Sequence, residues 1–210
     1  MKRPLLSLSV FCVVFFGIII FCVIFGGYSS LYRAQNRIGA AKQLVTTECQ
    51  KQLDLLPELV DMVRETDSFN GVDSNLNQAN LDQIRQTALE AKTILTQINS
   101  RETTPLEKKL ILNFEESQVK LSREIIGLII GLKKDDSLKS SPAFIGLEKE
   151  FNNLEITVFY NSHKYNKEAR YFNTRKSLFP GFFVAKLFGL DKVHFFEITA
   201  SLFTPEKLRS

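Results

Sequence analysis

Tryptophan is absent from this chain, histidine occurs twice and cysteine three times. Each scarcity removes a class of chemistry. His163 and His194 have Tyr160 and Asp191 three positions before them. Neither therefore completes the Glu-x-x-His pairs of di-iron bundles or the His-Glu-x-x-His of zinc proteases. Cys12 and Cys22 lie in an apolar N-terminal run, which leaves Cys49 alone in the remainder. A single thiol neither staples a fold nor builds a thiolate-rich zinc site. The glycine-rich phosphate loop, the Gly-x-Ser-x-Gly elbow and the calcium-loop spacing are also missing. Asp67 to Asp73 is a polar turn without the alternating ligands that calcium requires. No cofactor, metal or catalytic residue is expected, and the chain does not read as an enzyme.

Excess charge is scarce too. Basic residues number 27 against 23 acidic, and Lys2 and Arg3 supply half of that excess. The remainder is close to neutral, so no nucleic-acid partner is expected.

What the chain does have is an uncharged run from Pro4 to Tyr32. Its stretch Leu5–Phe25 meets the roughly 20 apolar residues that a bilayer core demands of a helix. The later apolar run Ile125–Leu132 is too short to cross. A cleaved signal peptide would carry an apolar region of about 7–15 residues ending at small residues. This run is longer and passes through Phe25-Gly26-Gly27-Tyr28-Ser29-Ser30 without such a site. Bulky Phe11 and Phe21 precede Cys12 and Cys22, which argues against lipoprotein processing. The expectation is an uncleaved, single-pass anchor in the cell membrane. Lys2 and Arg3 favour a cytoplasmic N-terminus and an extracytoplasmic domain, with Arg33, Arg37 and Lys42 pulling the other way.

Beyond the anchor the periodicity is helical. A first segment, Leu31–Thr66, carries Ile38, Ala41, Val45, Cys49, Leu56, Leu59/Val60 and Val63 at spacings of three and four, with Gln52 filling a gap in the stripe. Pro57 inside it predicts a bend near Leu53–Pro57. The second segment, Ser74–Asn99, has the seam Leu81, Ile84, Ala88, Ala91, Leu95 and Ile98. A third opens with Thr104 as cap and Pro105 in the first helical position, then runs to Leu132. Within it, Gly127 and Gly131 have the spacing of closely packed helices. A fourth runs from Pro142 to about Leu178, its apolar stripe broken by Asn161, and Pro180-Gly181 stops it. Short connections make successive helices antiparallel. The predicted fold is all-α: an N-terminal transmembrane helix (1–30), an up-and-down four-helix bundle with long first and last helices (31–180), and a Phe-rich C-terminal tail (181–210).

Between Tyr160 and His194, basic residues alternate with aromatics: Lys164, Lys167, Arg170, Arg175, Lys176, Lys186 and Lys192 among Tyr165, Tyr171, Phe172, Phe179, Phe182, Phe183 and Phe188. Such a composition suits nucleic-acid stacking, an anionic membrane surface, or simply a solvated face over an aromatic interior. In an even-numbered bundle the last helix returns to the starting end. The tail then meets the bilayer or plugs the open end of the bundle, and both readings stand.

Tyr165-Asn166, Asn173-Thr174-Arg175, Phe179-Pro180-Gly181, Ala185, Leu187-Phe188-Gly189 and Phe195-Phe196-Glu197 resemble the C-terminal signature of the LemA family. Asp54-Leu55-Leu56-Pro57 with Leu59-Val60 resembles that family's other hallmark. Glu58 departs from it, as do Asp135–Lys139 and Asn161-Ser162. The resemblance implies a four-helix bundle and no reaction. It marks Asp54, Pro57, Tyr165, Asn166, Asn173, Arg175, Phe179, Pro180, Gly181, Phe183, Lys186 and Phe188 as candidate interaction or membrane-surface residues. The expected partners are the lipid bilayer, through the N-terminal helix and the tail, and a protein partner or a second copy. The expected role is a membrane-anchored interaction scaffold, with a sensory bundle signalling through a separate chain as the alternative.

Overall fold

Apolar residues at helical spacing, with few glycines or prolines to interrupt them, build long helices. The computed structural model describes residues 3–65, 74–100 and 106–197. Its elements are α1 (Arg3–Glu65), α2 (Ser74–Asn99), α3 (Lys108–Leu132), α4 (Asp136–Lys139), α5 (Pro142–Ser177) and α6 (Gly181–Leu187). No strand occurs among the described residues.

The boundary expected at residue 30 falls inside a helix. α1 has 63 residues, about 95 Å at 1.5 Å per residue. Its N-terminal part is long and apolar enough to cross a membrane, and the large side chains from Val10 to Phe21 are exposed. From Leu31 onward the same helix buries one stripe: Leu31, Ala34, Ile38, Ala41, Val45, Cys49, Leu56 and Val60. The helix continues without interruption through Pro57, which is exposed.

α1 and α5 form the most extensive helix pair. Their contacts run in opposite directions along the two helices, Arg37 to Glu168 and Gln52 to Glu155, so the pair is antiparallel. α2 and α3 pair likewise, Gln83 and Thr87 donating to Glu124 while Lys120 meets Glu90 at 3.6 Å. Together α1, α2, α3 and α5 make the expected four-helix bundle around Leu81, Ile98, Phe114, Leu121, Phe144, Phe151 and Phe172.

The four helices are unequal, and that shapes the end near the apolar segment. α2 and α3 have 26 and 25 residues against 36 in α5. α2 ends level with Lys42, whose ammonium donates to the Ile98 carbonyl at 3.2 Å and so satisfies a helix-terminal acceptor. Between that level and the apolar part of α1, only α1 and α5 continue as long helices among the described residues.

Several local expectations change. α3 begins at Lys108 with Glu107 as its N-cap, whereas Thr104 and Pro105 lie outside the described residues. The α3–α5 connection contains the unforeseen short helix α4. Gly127 and Gly131 are exposed, with open space where a Cβ would stand, so they mediate no close approach here. Asn161 is only half-buried; the buried polar residues of α5 are Glu155 and Ser162. By contrast, Pro142 does stand in the first turn of α5, after Ser141 as N-cap.

Candidate functional site

The chain after α5 is a device of three parts: a reversal, a short helix and a clasped non-helical segment. The reversal depends on Gly181, where a Cβ would overlap the Arg175 carbonyl. α6 then packs across α1. A Cβ on Gly27 of α1 would come within 2.9 Å of Val184 Cγ2, so the close approach requires glycine. The rings of Tyr28 and Phe188 lie 4.6 Å apart. Residues beyond Leu190 leave α6 and run back along α5 in non-helical conformation.

Two asparagines of α5 hold that returning segment. Asn173 donates from Nδ2 to the Val193 carbonyl (2.8 Å) and accepts the Val193 N–H at Oδ1 (3.0 Å). Asn166 does the same for Phe196, with distances of 2.5 and 2.8 Å. Each side-chain amide thus replaces a missing strand neighbour. The spacing follows from two geometries. Two helical turns between the asparagines rise about 10.5 Å, and three extended residues from Val193 to Phe196 span about 10 Å. Phe196 is buried, its ring 4.5 Å from Tyr165 and 5.6 Å from Phe114. The Glu197 N–H donates to Glu115 on α3.

These contacts sort the candidate residues. Tyr165 is 1% exposed, so it is a core residue and not a surface one. Asn166, Asn173 and Gly181 are committed to internal contacts. Arg175 and Arg37 both approach the Tyr171 ring, at 5.1 and 4.6 Å from its centroid. Phe179, Phe183, Lys186 and Phe188 are exposed, and Pro180 is half-buried. The tail therefore divides, with Val184, Ala185, Val193 and Phe196 buried at the end of the bundle while Phe182, Phe183 and Phe188 are exposed.

Asp54 and Pro57 are exposed and line a cleft of about 580 Å³ between α1 and α2. Its floor is apolar, from Leu53, Val60, Ile84 and Ala88, and Asp61, Arg85 and Lys92 contribute charge around it. Proline at position 57 removes the backbone bond to the Leu53 carbonyl. Asp54 accepts a hydrogen bond from Gln50 Nε2 at 2.8 Å.

The feature that sequence reasoning missed is a polar knot in the core. Glu155 of α5 is buried, and its Oε1 accepts from Gln52 of α1 (2.7 Å) and Ser122 of α3 (2.6 Å). Oε2 has no partner among the described residues. Burial pushes the carboxyl up to about 6, against the opposing effect of the two hydrogen bonds. Cys49 is fully buried, and burial together with the charges of Glu155 and Glu48 pushes its thiol up, which leaves it unreactive. Gln52 filling a gap in an apolar stripe was the one sequence signal for this site. Among the described residues no three His, Cys, Asp or Glu side chains come together in a way that could hold a metal.

Fold and site define the class: an all-α bundle built on a helix apolar enough for a membrane and closed by a clasped tail. The LemA family model matches residues 41–206, most of the chain, and the protein belongs to that family. Comparison with curated proteins gives no match, and comparison with solved structures gives none either.

Two outcomes are expected. A folded-state pKa above the unfolded value means that the native state binds the proton more tightly. The contribution of Glu155 is thus fully present below about pH 4.5 and is lost as pH rises to about 6, a change of about 2 kcal/mol at 1.36 kcal/mol per unit. Denaturant melts of wild type and Glu155→Gln across that window will show the variant lacking this component; identical slopes would contradict it. Replacing both Asn166 and Asn173 by alanine leaves backbone groups unpaired, at about 1–3 kcal/mol per group where they are buried. The double variant should melt earlier and be cut faster by chymotrypsin at Phe195 and Phe196. Unchanged cleavage would show that the clasps do not hold the tail.

Proposed function

We propose that this LemA-family protein is a membrane-anchored, non-catalytic scaffold that presents a helical bundle to a protein partner beside the bilayer. The observation that carries the reading is the continuity of α1 from its apolar segment into the bundle. A helix transmits position and orientation, whereas a flexible linker would not. The bundle then stands at a set height over the lipid, with an N-terminal single-pass anchor and an extracytoplasmic domain as the charge of Lys2 and Arg3 suggests.

The α1–α2 cleft is the face assigned to the partner. A mid-helix proline costs about 3 kcal/mol relative to alanine, and an exposed ring recovers little of that by packing. Recognition gives Pro57 and the neighbouring Asp54 a use that the fold does not. An apolar floor bordered by both signs of charge suits an amphipathic helix of the partner, the helix-in-groove mode of recognition.

Photocrosslinking residues placed at Asp61 and Leu89, which line the cleft, are compared in the intact membrane with one at exposed Ile156 on α5. Discrete protein adducts from the two cleft positions, suppressed by Pro57→Ala, are expected. Adducts of equal intensity from all three positions, or from Ile156 alone, would reject the assignment.

A further inference from the structure

The exposed aromatic face of α6 has no partner among the described residues. Phe179, Phe182, Phe183 and Leu187 are 76%, 54%, 62% and 66% exposed. On a surface in water, such a contiguous apolar patch marks an interaction site. The same short helix buries Val184 and Ala185 against the core, so its two sides are of opposite character to the usual surface helix: the outward side is the greasier one.

Where this face sits identifies what covers it. α6 meets α1 at Gly27 and Tyr28, and Ile24 also packs against the core cluster. The apolar run of α1 extends to Phe25, and the first charge after it is Arg33. The contacts of α6 thus fall on the turn that directly follows the apolar run. One turn of helix rises only about 5.4 Å, so a bilayer crossed by α1 puts α6 in its boundary region. Side chains facing outward at that height meet lipid before they meet any other molecule. The cations fit as well. Lys186 in the last turn of α6 and Lys192 just beyond it are exposed, and long cationic side chains reach from an apolar surface to lipid phosphates.

We propose that α6 is an interfacial foot. Phe179, Phe182, Phe183 and Leu187 insert at the headgroup–acyl boundary of the leaflet from which α1 emerges, and Lys186 and Lys192 contact anionic phosphates. This rests on α1 being the anchor, as the proposed function has it. The foot adds a second attachment point beside the span, and two points restrain the tilt of the bundle where one does not. Interfacial helices of this kind bury their apolar face about 5–10 Å into that boundary.

The absence of tryptophan makes the test clean. Full-length protein carrying a single indole is reconstituted into vesicles of equimolar phosphatidylcholine and phosphatidylglycerol, with or without lipids brominated near the headgroup end of the acyl chain. The indole is introduced by Phe183→Trp, by Phe179→Trp, by Phe15→Trp within the apolar run, or by Leu89→Trp on exposed α2. For Phe183→Trp and Phe179→Trp, blue-shifted emission quenched by bromolipid and shielded from acrylamide is expected, whereas Leu89→Trp shows the reverse. Gly27→Val, which displaces Val184, should reduce the bromolipid quenching of Phe183→Trp. If Phe15→Trp reports lipid while positions 179 and 183 are both quenched by acrylamide and not by bromolipid, the foot is overturned and the anchor stands. If positions 179 and 183 are both shielded from both quenchers, protein covers the face and the proposal also fails. Water-like behaviour at Phe15→Trp would overturn the anchor itself.

Discussion

Everything in this structure is positioned by one uninterrupted helix. α1 is apolar on all sides up to Phe25, then acquires a single buried stripe from Leu31, with no change of backbone in between. A helix has only one way to continue, so the direction of the apolar segment dictates the direction of the bundle axis. α5 lies antiparallel along that stripe, and the shorter α2 and α3 complete the core only over its distal part. The close contact of Gly27 with Val184 then ties the chain's last elements back to the same helix.

A second constraint operates in the core. Oε1 of Glu155 takes hydrogen bonds from two different helices, Gln52 on α1 and Ser122 on α3. Sliding either helix by one turn, about 5.4 Å, would break one of these two bonds and leave its buried donor unpaired. Breaking such a buried group is costly even where the intact arrangement adds little to stability, which is the sense in which polar groups fix register. The same core holds Cys49, Leu121, Phe151 and Val158, and apolar contacts tolerate sliding far better than directional bonds do.

Periodicity made most of the architecture legible in advance. The seam from Leu81 to Ile98 gave the bounds of α2, and Pro142 with the Phe144–Phe151–Val158 stripe gave α5, because these signals are local. The helix of α3 starts at Lys108, three residues later than the Thr–Pro cap signature implies, after Leu106 has already turned into the core. Glu155 was hidden because its partners lie on other helices, and a lone acidic residue beside Leu154 reads as solvent-facing. The same holds for the asparagine clasps: Asn166 and Asn173 bond to backbone about 20–30 residues away, and side chain to backbone pairing leaves no periodic trace. The tail looked like a choice between plug and surface. Its residues are in fact divided between the two, Phe196 inward and Phe179 and Phe183 outward. Of the resemblance motifs, the C-terminal one is therefore largely the machinery of a clasp, while Asp54 and Pro57 remain at the surface.

The central claim is that α1 passes from its apolar segment into the bundle without a hinge. Hydrogen–deuterium exchange of the full-length protein in lipid nanodiscs measures this directly at the amides of Gly26 to Gln35. A continuous helix predicts slow exchange through that whole segment, as slow as at Val45 and Cys49 within the bundle. Exchange at the rate of unstructured chain anywhere between Gly27 and Arg33 would reveal a hinge and contradict the account.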